Sequence, residues 1–148
     1  MKVKKDMPGR IMGLDYGSRT VGVALSDPLR ITSQPFETVE RKSENKLRQT
    51  LARLEEIIKD SDVQEIVLGC PFNMDGSAGE RVEKTMQFKE LLEKRVGIEV
   101  VLQDERLTTI AADEKLEEMK IPRENRKKYI DQVAASIILE DYMNMKRS

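Results

Sequence analysis

Ile11-Met12-Gly13-Leu14-Asp15-Tyr16-Gly17-Ser18-Arg19-Thr20-Val21-Gly22-Val23-Ala24-Leu25 is the stretch that decides the fold. Two short apolar runs, 11–15 and 21–25, flank a link containing Gly17, Ser18 and Arg19, and the pattern reads as strand–turn–strand. The first run ends in a carboxylate, Asp15. Asp27-Pro28 closes the second run, and a third extended piece is expected over Phe36–Val39, after Pro35. Short links between three strands imply an antiparallel meander.

Beyond the meander the period changes. Leu47, Leu51, Leu54 and Ile58 step by four, three and four, which predicts an amphipathic helix over Ser43–Asp60, with Ser43 as cap. Glu65–Gly69 reads as a buried strand that empties into a turn-rich loop, Cys70 to Gly76. Ser77-Ala78-Gly79-Glu80 fits a capping box for a helix using Val82, Met86, Leu91 and Leu92, with Gly97 at its C-cap. Ile98–Leu102 is a further strand, followed by Asp104-Glu105-Arg106. A polar helix is expected over Thr109–Met119, then a basic connector, Lys120–Lys128, then an apolar helix, Tyr129–Met143, wide enough in its apolar stripe to press on a sheet. Strands that follow helices should join the sheet by right-handed parallel crossovers. The expected fold is α/β: a mixed five-stranded sheet, three antiparallel strands then two parallel, with helices on both faces. Residues 1–10 read as a basic leader and 11–145 as a single domain.

Composition bounds the chemistry. The chain has 148 residues, 26 Lys+Arg against 27 Asp+Glu, one cysteine and no histidine. The absence of histidine excludes Ser-His-Asp and Cys-His nucleophile systems, HExxH zinc sites and an imidazole general base. One cysteine forms no internal disulfide, which fits a reducing, cytoplasmic setting. No run of roughly 20 apolar residues is present to span a membrane.

Three features end strands, where open α/β sheets place their sites: Asp15, the loop after Gly69, and Asp104-Glu105-Arg106. A fourth carboxylate, Asp131, opens the last helix among apolar residues and is costly there unless paired or bound to a cation. Converging carboxylates make the hard-oxygen cage that Mg²⁺ or Mn²⁺ takes. Two such ions about 4 Å apart would support phosphodiester hydrolysis without histidine. Each acid also has a plainer reading, as a turn residue (Asp15), an ion pair and helix cap (Asp104, Glu105), or a carboxylate at a helix N-terminus (Asp131). Asp15-Tyr16-Gly17-Ser18 also matches the opening of the phosphate-binding hairpin in actin-like ATPases and sugar kinases, but those need two such lobes.

Four blocks carry a family resemblance: Gly13–Ala24, Val67–Gly76, Asp104–Thr109 and Asp131–Leu139. In this order and spacing the chain resembles the YqgF family, also called RuvX, of Holliday junction resolvases or pre-16S ribosomal RNA nucleases. The resemblance implies an RNase H-like fold and a metal-dependent nuclease site at Asp15, Glu105 or Asp104, and Asp131, with Glu105 favoured over Asp104 as the middle metal ligand. Arg106 and Arg19 are then expected phosphate contacts. Asn73, in the turn-rich loop, and the basic run Arg123, Arg126, Lys127 and Lys128 are further expected contacts to the nucleic-acid backbone. Glu80 stands where the family often has proline, and Cys70 where it often has leucine. The implied function is a nuclease maturing the 5′ end of 16S rRNA. The alternatives are a resolvase of branched DNA, which would favour a homodimer, and a non-catalytic nucleic-acid or pre-ribosome binding module.

Overall fold

Alternation along the first strand assigns the two faces of the sheet. In the computed structural model, which describes residues 8–71, 79–105 and 108–147, β1 (Arg10–Tyr16) sends Met12, Leu14 and Tyr16 into one apolar cluster and Ile11 into another. By the same parity Gly13 and Asp15 lie on the Ile11 face. The other strands are β2 (Thr20–Ser26), β3 (Ser33–Glu40), β4 (Val63–Cys70) and β5 (Val100–Asp104). The sheet has five strands in the order β3-β2-β1-β4-β5. β1 and β3 pair antiparallel with β2, whereas β1–β4 and β4–β5 are parallel. This is the expected mixed sheet. β3 is longer than Phe36–Val39 and includes Pro35, which an edge strand tolerates because its missing N–H removes no ladder bond. Arg10, read as leader, belongs to β1; residues 1–7 lie outside the described residues.

Helices α1 (Arg48–Asp60) and α2 (Glu80–Val96) cover the Met12 face with Leu51, Leu54, Ile57, Phe88 and Leu92. α1 begins later than the expected Ser43. The 43–46 segment is a turn, in which the Lys46 N–H donates to the Ser43 carbonyl at 3.1 Å, and Leu47 rather than Ser43 stands at the N-cap. The Glu44 carboxylate, expected in the helix's first turn, instead accepts from Arg81 at 2.7 Å. In α2 the inward positions are Val82, Thr85, Phe88 and Leu92, while Met86 and Leu91 are exposed. Thr85 can take an inward place because its hydroxyl donates to the Arg81 carbonyl at 2.8 Å. Gly97 does end α2, in the left-handed conformation at φ 72°, its N–H donating to the Glu93 carbonyl at 2.9 Å. The N-cap is Gly79; Ser77 of the expected capping box lies outside the described residues.

α4 (Arg123–Arg147) covers the opposite face, and α3 (Thr108–Glu118) packs on α4. Ala135, Ile138, Leu139, Tyr142 and Met143 meet Ile11, Ala24 and Val67 of the sheet. Val133, Ala134 and Ile137 meet Ala112 and Leu116 of α3. The apolar residues of α4 thus face two partners, which explains a helix that is apolar well beyond one stripe. The expected basic connector is largely helix: Arg123–Lys128 forms the first turns of α4, behind Pro122. Among the described residues no helix is long and apolar enough to cross a membrane.

A polar tie joins α4 to β4. Glu65 accepts from the Tyr142 hydroxyl and from Arg30 at 2.7 Å, and Lys146 lies 3.6 Å away as an ion-pair partner. Burial opposes ionisation of Glu65, but the Tyr142 hydrogen bond and the Lys146 and Arg30 charges together hold its carboxyl below the usual range. A carboxylate depressed in the folded state contributes stability above its unfolded pKa and loses it as pH falls through the folded value. Glu65→Gln is therefore expected to melt lower than the wild type at neutral pH. The difference should shrink on acidification below about pH 4, as thermal melts across pH will read.

Candidate active site

Asp15 lies at the carboxyl end of β1, directly opposite Gly22 of β2. A Cβ built on Gly22 would fall 1.9 Å from the Asp131 carbonyl oxygen, so the α4 backbone rests on the strand with no room for a side chain. That approach brings Asp131 within electrostatic reach of Asp15. The Thr20 hydroxyl donates to Asp131 Oδ2 at 2.8 Å and fixes its orientation. Asp131 does not open its helix as the sequence reading had it: α4 begins at Arg123, two turns earlier. Its placement therefore owes nothing to the helix dipole, whose influence is confined to the first turn.

Glu105 reaches the same place on the same face, from the β5 side. Its N–H donates to the Cys70 carbonyl at 3.2 Å, which carries the β4–β5 pairing one residue past the strand. A Cβ on Gly69 would fall 2.8 Å from the Glu105 carboxyl carbon, so this glycine also keeps space for an acid. The Glu105 and Asp15 carboxyls lie within hydrogen-bonding reach of each other. Burial, and then the charge of Asp131, push Asp15 up to about 7. Burial, the Asp15 charge and their shared hydrogen bond push Glu105 up to about 9, with a smaller contribution from Asp104. The two titrate as a coupled pair, both raised. Asp104 itself is exposed at the end of β5, opposite Cys70. Parity along the extended chain separates the two neighbours: Glu105 turns to the α4 face and Asp104 away.

Arg81, in the first turn of α2, is a cation that opposes both shifts, and the sequence reading passed over it. The available signal was its position in a helix that starts directly after a loop at the carboxyl edge of the sheet. Arg19 is exposed in the β1–β2 turn, where its carbonyl accepts from the Arg41 N–H at 2.9 Å. Arg123, Lys127 and Lys128 are exposed on α4. Arg126 is held at the Ile121 carbonyl (3.1 Å) and Glu117 (3.0 Å). Arg123 and Arg126 border a groove shared with Asp113, Glu114 and Glu117, so acids dilute the expected basic surface there. Asn73 and Arg106 lie outside the described residues.

The donor set suits a hard divalent cation: carboxylate oxygens only, two of them in contact and a third nearby. Among the described residues no three acids close into a ready-made cage. Two buried carboxyls raised by each other's presence are the arrangement a bound cation relieves.

Residues 9–145 match the family model described as RuvX: Holliday junction resolvase. The chain belongs to the RuvX family. A Lachnospira eligens protein named "Putative pre-16S rRNA nuclease" is 59% identical over 138 residues, covering 93% of this chain and 99% of the relative. An Agathobacter rectalis protein of the same name is 57% identical over 135 residues, covering 91% and 94%. T. thermophilus RuvC in complex with Holliday junction substrate superposes with a TM-score of 0.54 at 14% identity, covering 93% of this chain and 96% of RuvC. That likeness concerns the fold, which is RNase H-like. As a RuvX protein the chain is a nuclease, and hence a hydrolase.

Proposed function

We propose that this chain is a divalent-metal-dependent endonuclease that matures the 5′ end of pre-16S rRNA in the cytoplasm, with Asp15, Glu105 and Asp131 as the residues that hold the metal. The observation that carries the reading is the Asp15–Glu105 pair on the α4 face, at the carboxyl ends of β1 and β5, with Asp131 beside it. Bound Mg²⁺ or Mn²⁺ would supply Lewis-acid stabilisation and a water of lowered pKa. The chain's own residues prepare for this. Asp15 and Glu105 would present their carboxylates to the cation together. Thr20 holds Asp131 in orientation. Gly22 and Gly69 keep side chains out of the space the acids need. The names of the close relatives support RNA as the substrate. The family's description supports a second reading, cutting of branched DNA, in which two symmetric cuts would favour a homodimer.

Precursor rRNA and a synthetic four-way junction, at equal protein and with Mg²⁺ or Mn²⁺, separate the readings. The expected result is cleavage of the RNA, little of the junction, and none of either in excess EDTA. Strong cleavage under EDTA refutes the metal mechanism. Binding of RNA without cleavage by the wild type favours a binding module instead.

A further inference from the structure

Next to Asp15, and by alternation on the other face of β1, lies Tyr16. Its ring stacks on Phe88 with centroids 4.4 Å apart and planes 15° apart. Two guanidinium groups lie over the same ring, Arg41 at 4.8 Å and Arg81 at 5.2 Å from its centroid. Arg41 is 8% exposed. Its Nη2 donates to the Gly17 carbonyl at 2.6 Å, which pins the β1–β2 turn. Its Nε and Nη1 are buried and have no hydrogen-bond partner among the described residues, and the same holds for Nη2 of Arg81. Pinning a turn needs one donor. Leaving buried, charged N–H groups unpaired costs free energy, and a structural role for Arg41 uses none of the remaining fork.

Arg41 also borders an open groove of about 660 Å³ between β3 and α1, whose rim carries Lys42, Lys46 and Arg48 along with Glu40. The acid in contact with Arg81 is Glu44. It accepts from Arg81 at 2.7 Å and lies 3.6 Å from Lys84. The Arg81 hydrogen bond, with the Lys84 and Arg41 charges, holds its carboxyl below the usual range against the opposing effect of burial. Arg41, Arg81 and Lys84 thus set three positive charges around Glu44, and Arg81 also lies within electrostatic reach of Asp15 and Glu105.

We propose that Arg41 and Arg81, stacked on Tyr16, form a subsite for a backbone phosphate of the nucleic-acid strand close to the acid pair, and that Lys42, Lys46 and Arg48 carry the strand onward along the groove. A guanidinium fork matches phosphate oxygens bidentately. The Glu44 carboxylate occupies the anion's place in the free protein and yields it to the strand. This deepens the nuclease reading and rests on it.

The test is fluorescence anisotropy of a short labelled single-stranded RNA, with the full chain, in EDTA so that binding is read without cleavage, across a salt series. Arg41→Gln is expected to weaken binding about tenfold, and to flatten the logarithmic salt dependence by about 0.7, the single-strand value per phosphate contact. Arg41→Lys, which keeps the charge but not the fork, should fall between. Lys42→Ala with Lys46→Ala alters two exposed side chains and should flatten the slope by about 1.4. Glu44→Gln should tighten binding. Calorimetry with inorganic phosphate should show far weaker binding than the RNA. Equal affinity for free phosphate, with no effect of the two lysines, overturns the strand path. Wild-type affinity and slope in both Arg41→Gln and the double lysine variant overturn the subsite, even if Arg41→Gln melts lower. So does a wild-type protein that binds no RNA. Failure of the nuclease reading looks different: the wild type binds the strand, responds to these variants, and never cuts.

Discussion

Asp15→Asn is expected to reduce cleavage by at least about 10³-fold, roughly 4 kcal/mol of transition-state stabilisation, without loosening the metal-free protein. Asparagine has the shape of aspartate but offers a metal one neutral oxygen in place of a carboxylate. In the wild type, two carboxyl groups touch and a third acid stands near, so the metal-free site stores repulsion. Removing the Asp15 charge relieves it. The variant's metal-free melting temperature should equal or exceed that of the wild type. Mg²⁺ should raise the wild-type melting temperature by mass action and leave that of the variant nearly unchanged. Cleavage assays and melts with and without Mg²⁺ read both effects. Cleavage within tenfold of wild type would show that Asp15 is not part of the reacting site. A variant that melts far below the wild type without metal would show that the pair is stabilising, contrary to its shifted ionisation.

The mix of antiparallel and parallel strands was legible because the two kinds of link differ in length: turns of a few residues between β1, β2 and β3, and helices before β4 and β5. The start of α4 was not legible, since Arg123–Lys128 has no apolar residue to show a helical period. Pro122 was the available signal, because proline favours the mouth of a helix. Met86 and Leu91 misled for the opposite reason: both are apolar, yet Thr85 and Phe88 hold the inward positions. Of the site, the acids could be singled out one by one. Parity separates Asp104 from Glu105, but choosing between them requires knowing which face α4 covers, a tertiary fact. Arg81 left only its position in a helix after a strand-end loop, and Arg41 left no signal, because their placement depends on stacking against Tyr16 and on buried donors that no linear pattern records.

Gly22→Ala should be among the most destabilising single-methyl changes in the chain. The added Cβ would meet the Asp131 carbonyl oxygen at 1.9 Å and its carbon at 2.3 Å. Both atoms are backbone, so no side-chain rotation relieves the clash, and α4 must lift from β2. Overpacking of this kind costs about 3 kcal/mol at the upper end of its usual range, which for a domain of this size lowers the melting temperature by roughly 10 °C. Gly97→Ala is the control. Gly97 has a positive φ of 72° but nothing within 4 Å of a new Cβ, so it pays only backbone strain, about 1 kcal/mol. The two variants should also differ in function. Lifting α4 at Gly22 moves the residue that carries Asp131, opposite Asp15 itself, so metal-dependent cleavage should fall in Gly22→Ala even at temperatures where it remains folded. Gly97, at the far end of α2, should leave cleavage untouched once the melt is taken into account. If Gly22→Ala instead melts within a degree or two of wild type and cuts normally, α4 does not rest on β2 at this point, and Asp131 owes its position to something other than the missing side chain.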